Sequence, residues 1–453
     1  MKRLIIFLFL LTILFALAGC VADMPPTAAP APAEPAKEAA PTEEPTAVPP
    51  TVAPTETPEP TAEPTAAPTA EPTPTTAPTA EPATLSANLT DSCVTEYDET
   101  VDYFPQKAVI EYASGFTIEY FNNYKVLTIP TPWQGAEEGV QYVLVQCGTP
   151  PPEGYAEATI VEVPVQSFVS MSTTYLPYVD QYGLIDRLVG VDNAAFISNE
   201  NIRAKYDAGE LAEIGSGGEV NVETAVDLNP DLIMTSASGF AEYDAHPKLA
   251  EAGLTVALNA DYLDTTPLGQ AEWGKYLAAF FNQEGAATEQ FAEVVARYEA
   301  LTALTADLAE RPTVFNNTPF DGTWYMPGGN SYVAQLLADA GADYLWADDE
   351  STGSLFLDFE TVFDRAAGAD YWINIGFFAT LDDLAAADER FTEFAAYQNG
   401  NVYNNDARVN EFGGNDYYES GAANPHLVLA DLIRIFHPDL LPDYELYYYR
   451  QVE

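Results

Sequence analysis

The order of hydrophobic and polar residues divides the chain into stretches of different periodicity. Within residues 89–165, four segments alternate apolar and polar residues: KAVIEYA, FTIEYF, YKVLTI and YVLVQC. A period of two is typical of β-strands with one buried face, and Asn122-Asn123 suits the turn of a hairpin. We therefore predict a small β-rich module over residues 89–165.

From residue 166 onwards, buried strands alternate with segments of helical spacing. The strand VPVQSFVS leads into the helix TYLPYVDQYGLIDRLVG, and this order repeats to residue 285. It restarts at residue 311 with TVFNNTPF and ends in the helix NPHLVLADLIRIF. Such alternation predicts parallel strands joined by right-handed crossovers. We expect two Rossmann-like α/β lobes, over residues 166–285 and 311–453.

A long amphipathic segment separates the two lobes. Residues 286–310 carry apolar side chains at intervals of three and four, such as Phe291, Val294 and Tyr298. A helix of this length spans about 37 Å at roughly 1.5 Å per residue, which is enough to reach from one lobe to the other. The predicted fold class is α/β, with two lobes joined by one long helix and preceded by the β-rich module.

The first 20 residues, MKRLIIFLFLLTILFALAGC, have the features of a secretory signal: two basic residues, an apolar run, and small residues before a cysteine. The ending LAGC resembles the bacterial lipoprotein signal, which implies that Cys20 carries a lipid and anchors the protein to the outer face of the membrane. Residues 21–88 repeat Pro, Thr, Ala and Glu and contain few large apolar residues. We predict that they form a disordered tether.

Charge excludes one class of partner. The net charge is -52, with 17 lysines and arginines in the whole chain. Nucleic-acid binding depends on lysine and arginine contacts to phosphates, so we expect no nucleic-acid partner. The membrane is contacted through the lipid anchor alone.

Cysteine and histidine positions give one structural prediction and no metal site. Cys93 and Cys147 lie in an exported segment, where thiols oxidise, and we predict a disulfide between them. The three histidines, His246, His426 and His437, lack the i, i+4 spacing of a metal pair. We assign structural roles to all three and expect neither a metal site nor a cofactor.

Five segments, in this order, resemble the ABC-transporter substrate-binding proteins of the iron-siderophore, haem and cobalamin class: YGLIDRLVGVDN, EIGSGGEVNVETAVDLNPDLIMTS, HPKLAEAGLTV, TPLGQAEWGKYLAAFF and HPDLLP. The likeness covers residues 165–450 and leaves the β-rich module outside the common core. It implies a monomer whose two lobes clasp an iron chelate or a similar small molecule. The ligand would then pass to an ABC permease and its ATPase.

The resemblance also locates the ligand cleft, because ligands of such sheets bind beyond the carboxyl ends of the strands. The candidate ligand-binding residues at these ends are Ser172, Ser216, Glu219, Ser236 and Ser238 in the first lobe, and Trp324, Tyr325, Thr352, Phe377, Arg408, Asn415 and Tyr418 in the second.

Several of these residues have an alternative role. Trp324 and Tyr325 follow the first strand of the second lobe and could stack on a planar ligand, but they could equally pack the lobe. Arg408 could pair with an anionic ligand or neutralise a nearby acid. Asn415 and its neighbours could bind the ligand or cap a turn.

Two departures from the family concern the permease. Family members commonly carry a glutamate early in the first helix of each lobe to meet permease arginines, and the corresponding residues here are Tyr175 and Gln335. Asp180 and Asp339 are nearby acids that could replace them.

An enzyme is disfavoured, because the chain has neither a G-x-S-x-G nor an H-E-x-x-H motif. The main alternative to import is a surface lipoprotein that binds a protein or a glycan.

Overall fold

A computed structural model describes residues 85–453. The predicted signal segment with Cys20, and the tether up to residue 84, lie outside the described residues. Asn88, at the end of the predicted tether, is already buried, and its side-chain amide donates to Glu284 Oε2 at 2.8 Å. Within the described range, no helix has both the length and the apolar character that a membrane crossing requires.

The N-terminal module contains a four-stranded sheet in the order β1-β2-β3-β4, with β3 and β4 parallel and the other neighbours antiparallel. The predicted hairpin turn at Asn122-Asn123 joins β1 to β2. The strands are β1 (Thr117–Tyr120), β2 (Tyr124–Ile129), β3 (Val140–Gln146) and β4 (Thr159–Val163).

The prediction of a strand for KAVIEYA is wrong. Residues 107–113 form no strand, because backbone N–H groups of this segment donate to a side chain and not to a neighbouring strand. The N–H groups of Tyr112 and Ala113 donate to the carboxylate of Glu272 at 2.7 and 2.8 Å. A buried side chain from the first lobe therefore replaces the neighbouring strand that the alternating pattern indicated.

The first lobe is built on a parallel five-stranded sheet in the order β7-β6-β5-β8-β9. Its last helix begins where Thr266 caps the Gly269 N–H and Pro267 takes the first helical position. The elements are β5 (Phe168–Ser170), α1 (Leu176–Gln181), β6 (Leu188–Val191), α2 (Glu200–Asp207), β7 (Ala212–Glu213), α3 (Val222–Leu228), β8 (Leu232–Thr235), α4 (His246–Glu251), β9 (Val256–Leu258) and α5 (Pro267–Phe280).

The second lobe has a five-stranded sheet in the order β13-β10-β15-β16-β17, parallel except for β17, and a small antiparallel sheet in the order β11-β12-β14. Its elements are β10 (Thr313–Asn316), β11 (Pro319–Phe320), β12 (Thr323–Pro327), α7 (Tyr332–Asp339), β13 (Asp343–Tyr344), β14 (Ser354–Leu357), α8 (Phe359–Ala366), β15 (Tyr371–Ile373), α9 (Leu381–Ala387), α10 (Ala395–Gln398), β16 (Val402–Asn404), α11 (Asp416–Ser420), α12 (Pro425–Phe436) and β17 (Arg450–Gln451).

The helix between the lobes, α6 (Glu284–Thr305), has 22 residues. It packs against α5 of the first lobe and against α12 of the second. The α/β fold with two lobes and one long connecting helix is therefore confirmed. The long helix starts two residues before the start of the predicted segment 286–310 and ends five residues before its end.

Candidate functional site

The carboxyl ends of the strands face a cleft with two adjoining halves. The first-lobe half has a volume of about 600 Å³ and is lined by residues that follow β5, β7 and β8. The interlobe half has a volume of about 450 Å³ and is lined by residues of both lobes. Gln134 and Tyr262 line both halves, so the two cavities adjoin at these residues.

Hydroxyl groups and aromatic rings line the first-lobe half. Ser216, Ser236 and Ser238 belong to this wall, as do the exposed rings of Phe240 and Tyr243. The loop after β8 carries Ser238, and its shape depends on the buried Asp244.

Asp244 gathers three donors from that loop. Its Oδ1 accepts from the N–H and the hydroxyl of Ser238 at 2.8 and 2.7 Å, and its Oδ2 accepts from the Gly239 N–H at 3.0 Å. The Ser238 hydroxyl is therefore engaged within the protein. Ser216 and Ser236 make no such bond to Asp244 and are exposed in the cavity wall.

The interlobe half is lined by Thr352, which we predicted, and by Asn317, Tyr332 and Asp264, which we did not. Asn317 follows β10 in the left-handed conformation, with φ 65°, and its side-chain amide donates to the Tyr325 carbonyl at 2.7 Å. This bond ties the mouth of β10 to β12.

The charged residues in the lining of the two halves are Asp244 and Asp264. Asp264 accepts from Trp273 Nε1 at 2.6 Å and is itself buried. Next to Tyr262, burial raises the pKa of Asp261 to about 6, although hydrogen bonds from the Tyr262 backbone and the Thr174 hydroxyl oppose the shift. The cleft is consequently neutral to acidic.

Trp324 lies in the core of the second lobe and not on the cleft wall, which corrects the predicted ligand role. Its side chain is fully buried, and its Nε1 donates to the Asn316 carbonyl at 2.8 Å. It packs against Phe315 and Trp372, with ring centroids 6.1 and 6.0 Å apart. Because successive residues of a strand face opposite sides, its neighbour Tyr325 points away from this core and is 40% exposed.

Tyr325 belongs to an exposed aromatic surface that continues the cleft wall. On β12 it shares a face with Pro327, and its cross-strand partner Phe356 shares that face with Ser354. Pro327 and Ser354 line the interlobe half. Phe320, opposite Thr323 in the same small sheet, is 74% exposed. We call Phe320, Tyr325 and Phe356 the aromatic face.

One of the two members of the aromatic face that we missed, Phe356, follows from the position of Tyr325. TWYMP has buried residues on one side, and SLFL alternates between exposed and half-buried residues. Once the two strands are paired, Phe356 must share the side of Tyr325.

The sequence profile of the periplasmic binding protein family matches residues 169–409. The chain belongs to this family. Its matched region contains most of the cleft lining and excludes the N-terminal sheet. Proteins of this family bind solutes, and the chain is a binding protein and not an enzyme.

Three similar proteins align with much of the binding protein. An uncharacterized lipoprotein of Methanocaldococcus jannaschii is 29% identical over 70% of this chain and 81% of its own length. A second lipoprotein of that organism is 25% identical over 73% of this chain and 82% of its own. A solved structure of a possible iron-binding protein from Staphylococcus epidermidis has a TM-score of 0.48 at 16% identity, covering 60% of this chain and 98% of its own.

Arg408 of the binding protein pairs with a nearby acid and does not belong to the lining of the two halves. Its Nε donates to Asp416 Oδ2 at 2.6 Å, and its guanidinium lies 4.4 Å from the centroid of the Tyr447 ring. Asn415 caps α11 by accepting from the Tyr417 N–H at 3.0 Å. Both residues therefore take the structural alternative.

Four further candidates lie outside the lining of the two halves. Ser172 caps a short turn, with its Oγ 2.8 Å from Thr174 Oγ1. Glu219, Phe377 and Tyr418 are exposed to solvent beyond both halves.

The lobes also contact each other away from the cleft. Glu419 of α11 is 1% exposed and accepts from the N–H groups of Ser198 and Asn199, at 2.6 and 2.7 Å. Burial raises the pKa of Glu419 to about 7, because these hydrogen bonds only partly offset desolvation. The Asn410 side-chain amide bonds the carbonyls of Ala195 and Ile197, each at 3.0 Å.

The two residues that correspond to the permease-facing glutamates of the family, Tyr175 and Gln335, differ in their exposure. Tyr175 is buried, so it is not available for docking. Gln335 is exposed and donates to Asp339 Oδ1 at 2.8 Å. Asp180, near Tyr175, accepts from the side chain of Asn199 at 2.9 Å.

The predicted disulfide between Cys93 and Cys147 is confirmed, with Cα atoms 4.8 Å apart.

His437 Nε2 lies 3.1 Å from the Gly341 carbonyl, and burial lowers the pKa of His426 to about 4. Across residues 85–453, no group of three or more His, Cys, Asp or Glu side chains is arranged to hold a metal ion.

Proposed function

We propose that this chain is the extracytoplasmic substrate-binding lipoprotein of an ABC importer. It captures an iron-siderophore, or a chelate of the haem or cobalamin type, between its two lobes and delivers it to the permease. The observation that carries the proposal is the cleft at the strand ends, with adjoining halves of about 600 and 450 Å³ that share Gln134 and Tyr262 in their lining. Sites of this size are typical of small organic ligands.

The chemistry of the cleft narrows the ligand class. Exposed rings of the aromatic face can stack on a flat or apolar ligand surface, and Ser216 and Ser236 supply hydrogen bonds. The charged groups in the lining are aspartates, and Arg408 is already paired with Asp416. Like charges repel in a site of low polarity, so an uncharged or cationic chelate fits better than an anionic one.

A calorimetric titration tests this proposal with four probes: an uncharged ferric tris-hydroxamate, an anionic ferric tris-catecholate, haem and cobalamin. We expect at least one probe to bind, and the hydroxamate to bind more tightly than the catecholate. Tyr325→Ala should weaken binding by about 3- to 10-fold, which is the value of one aromatic contact.

Tyr97→Ala is the matched control, because Tyr97 is also 40% exposed but belongs to the N-terminal segment away from the cleft. It should leave affinity unchanged. A wild-type protein that binds none of the probes, and that retains no small molecule in native mass spectrometry, would show that the cleft is not a chelate site.

Uptake of radiolabelled iron chelate by the native host separates import from simple surface binding. Deleting the gene should abolish uptake of a chelate that the purified protein binds. Tight binding with undiminished uptake would favour the alternative, a surface lipoprotein without an import role.

We also propose that Cys20 carries the lipid anchor. LAGC supports this, as do the two relatives named as lipoproteins. In Cys20→Ala, the protein should be released from the membrane or remain unprocessed, with ligand affinity unchanged. Fractionation and mass measurement of the mature N-terminus check this outcome.

A further inference from the structure

A loop of the N-terminal sheet reaches the ligand cleft. It joins β2 to β3 and covers residues 130–139, outside the region that matches the family profile. The Trp133 ring lies against the loop after β8, where a Cβ atom on Gly239 would stand 2.5 Å from Trp133 Cδ1. The ring also lies beside His246, with centroids 6.0 Å apart in a stacked arrangement. Trp133 therefore seats the loop against the first lobe.

The next residue, Gln134, is exposed within the cleft and lines both of its halves. Tyr262 also lines both halves, and its hydroxyl donates to the Ala237 carbonyl at 2.7 Å. Gln134 and Tyr262 thus stand together where the two halves meet. A ligand that occupies both halves has to pass them.

The loop is held in a fixed position relative to the first lobe. Tyr142 of β3 accepts from the Leu258 N–H of β9 at 2.7 Å. Lys125 of β2 forms a fully buried ion pair with Glu284 at 2.6 Å. The first contact joins the N-terminal sheet to the first lobe and the second joins it to the start of α6, so the sheet presents its loop as a preorganised part of the wall.

We propose that the N-terminal sheet is a functional part of the ligand site, and that Gln134 is a specificity-determining residue. Its amide offers two donor hydrogens and one acceptor oxygen, which select a ligand with hydroxyl, carbonyl or amide groups at its middle. Trp133 is a positioning residue that holds the loop in place. This inference rests on the proposed function of the cleft.

Calorimetry with the same four probes tests the inference through Gln134→Ala. We expect the best wild-type probe to lose about 3- to 10-fold in affinity, the value of one or two hydrogen bonds. The order of preference among the probes should also change, because they differ in the polar groups they present. Damage to the fold would instead weaken every probe by a similar factor.

Gln141→Ala is the matched control: Gln141 lies on β3 of the same sheet, is exposed, and bonds Thr128 outside the cleft. It should change neither affinity nor preference. Trp133→Ala should reproduce the loss seen in Gln134→Ala, and Trp133→Phe, which keeps a flat ring against Gly239, should restore most of it.

The outcomes separate the two proposals. If the wild type binds a probe and Gln134→Ala binds all probes as the wild type does, this inference is overturned and the proposed function stands. If the wild type binds no probe and retains no small molecule in native mass spectrometry, the proposed function fails and the inference fails with it.

Discussion

The two lobes share a fold type but differ in what completes their cores. In the first lobe, Phe116 of the N-terminal segment packs on Trp273 and Tyr276 of α5, with ring centroids 4.7 and 5.4 Å apart. The core of the second lobe, around Phe315, Trp324 and Trp372, also takes in Leu268 of α5 and Tyr298 of α6 but no residue of the N-terminal sheet. The first lobe is therefore a composite with the N-terminal sheet, whereas the second lobe completes its core with residues of α5 and α6 and without the N-terminal sheet.

Polar contacts show the same difference. The Lys125–Glu284 pair joins the N-terminal sheet to the start of α6, and both side chains are 0% exposed. In the second lobe, the pair between Arg365 and Asp348 is solvent-exposed at 40% and 71%. A buried charge needs its partner far more than an exposed one does. The additional sheet is thus built into the first lobe and is not an appended domain.

The largest effect that we expect concerns the core of the second lobe. Trp324→Ala should lower the free energy of unfolding by about 3 to 5 kcal/mol, since it leaves a cavity among packed rings. Denaturant unfolding measures the loss. Hydrogen exchange should show the opening in β10, β12 and β15, while the N-terminal sheet keeps its protection.

Tyr325→Ala is the control on the same strand, because it removes an aromatic ring from the exposed side. It should cost less than about 1 kcal/mol. Equal losses for the two variants would contradict the assignment of Trp324 to the core and Tyr325 to the surface.

The sequence could not choose between these two neighbours. The alternation in TWYMP predicts two faces, yet both carry an aromatic or apolar residue, so hydrophobicity does not mark the inner side. Pairing of Tyr325 with Phe356 decides the matter, and that contact joins segments 31 residues apart. The lobes themselves were predictable because the strand and helix periods repeat over many residues.

Gln134 illustrates what lies beyond local patterns. It carries no motif, and its place in the cleft depends on how the N-terminal sheet packs against residues after β8 and β9. The strand predicted for KAVIEYA is absent for a related reason. The hydrogen-bond acceptor that takes the place of a neighbouring strand is Glu272, about 160 residues further along the chain. Long-range contacts of this kind leave no periodic trace in either segment.

A slightly smaller effect is expected where the first lobe joins the N-terminal sheet. Lys125→Met should lower the free energy of unfolding by about 3 to 4 kcal/mol, because it leaves Glu284 buried without its cation. The Asn88 side chain still donates to Glu284, which keeps the loss at the lower end of the usual range. Denaturant unfolding followed by circular dichroism gives the value.

Arg297→Met is the matched control, as it removes a cation from an exposed pair with Glu293 on the same long helix. It should change stability by about 1 kcal/mol or less. If Lys125→Met were no more harmful than Arg297→Met, the N-terminal sheet would not be an integral part of the first lobe.

The smallest expected effect lies at the contact between the lobes and depends on pH. Burial raises the pKa of Glu419 from its usual 4.5 to about 7. Between these two values the folded protein binds more protons than the unfolded chain, so stability falls as pH rises through this window, by up to roughly 3 kcal/mol.

Glu419→Gln removes this titration and should flatten the dependence of the melting temperature on pH between about pH 5 and pH 7.5. Some slope should remain, because Asp261, whose pKa is also raised by burial, still titrates with the same sign. The protection factors for amide exchange at Ser198 and Asn199, which correct for the intrinsic pH dependence of exchange, should become independent of pH in the variant if the carboxylate controls the contact. Identical pH profiles for the two proteins would mean that the lobes associate through Asn410 and their other contacts, without a contribution from the charge of Glu419.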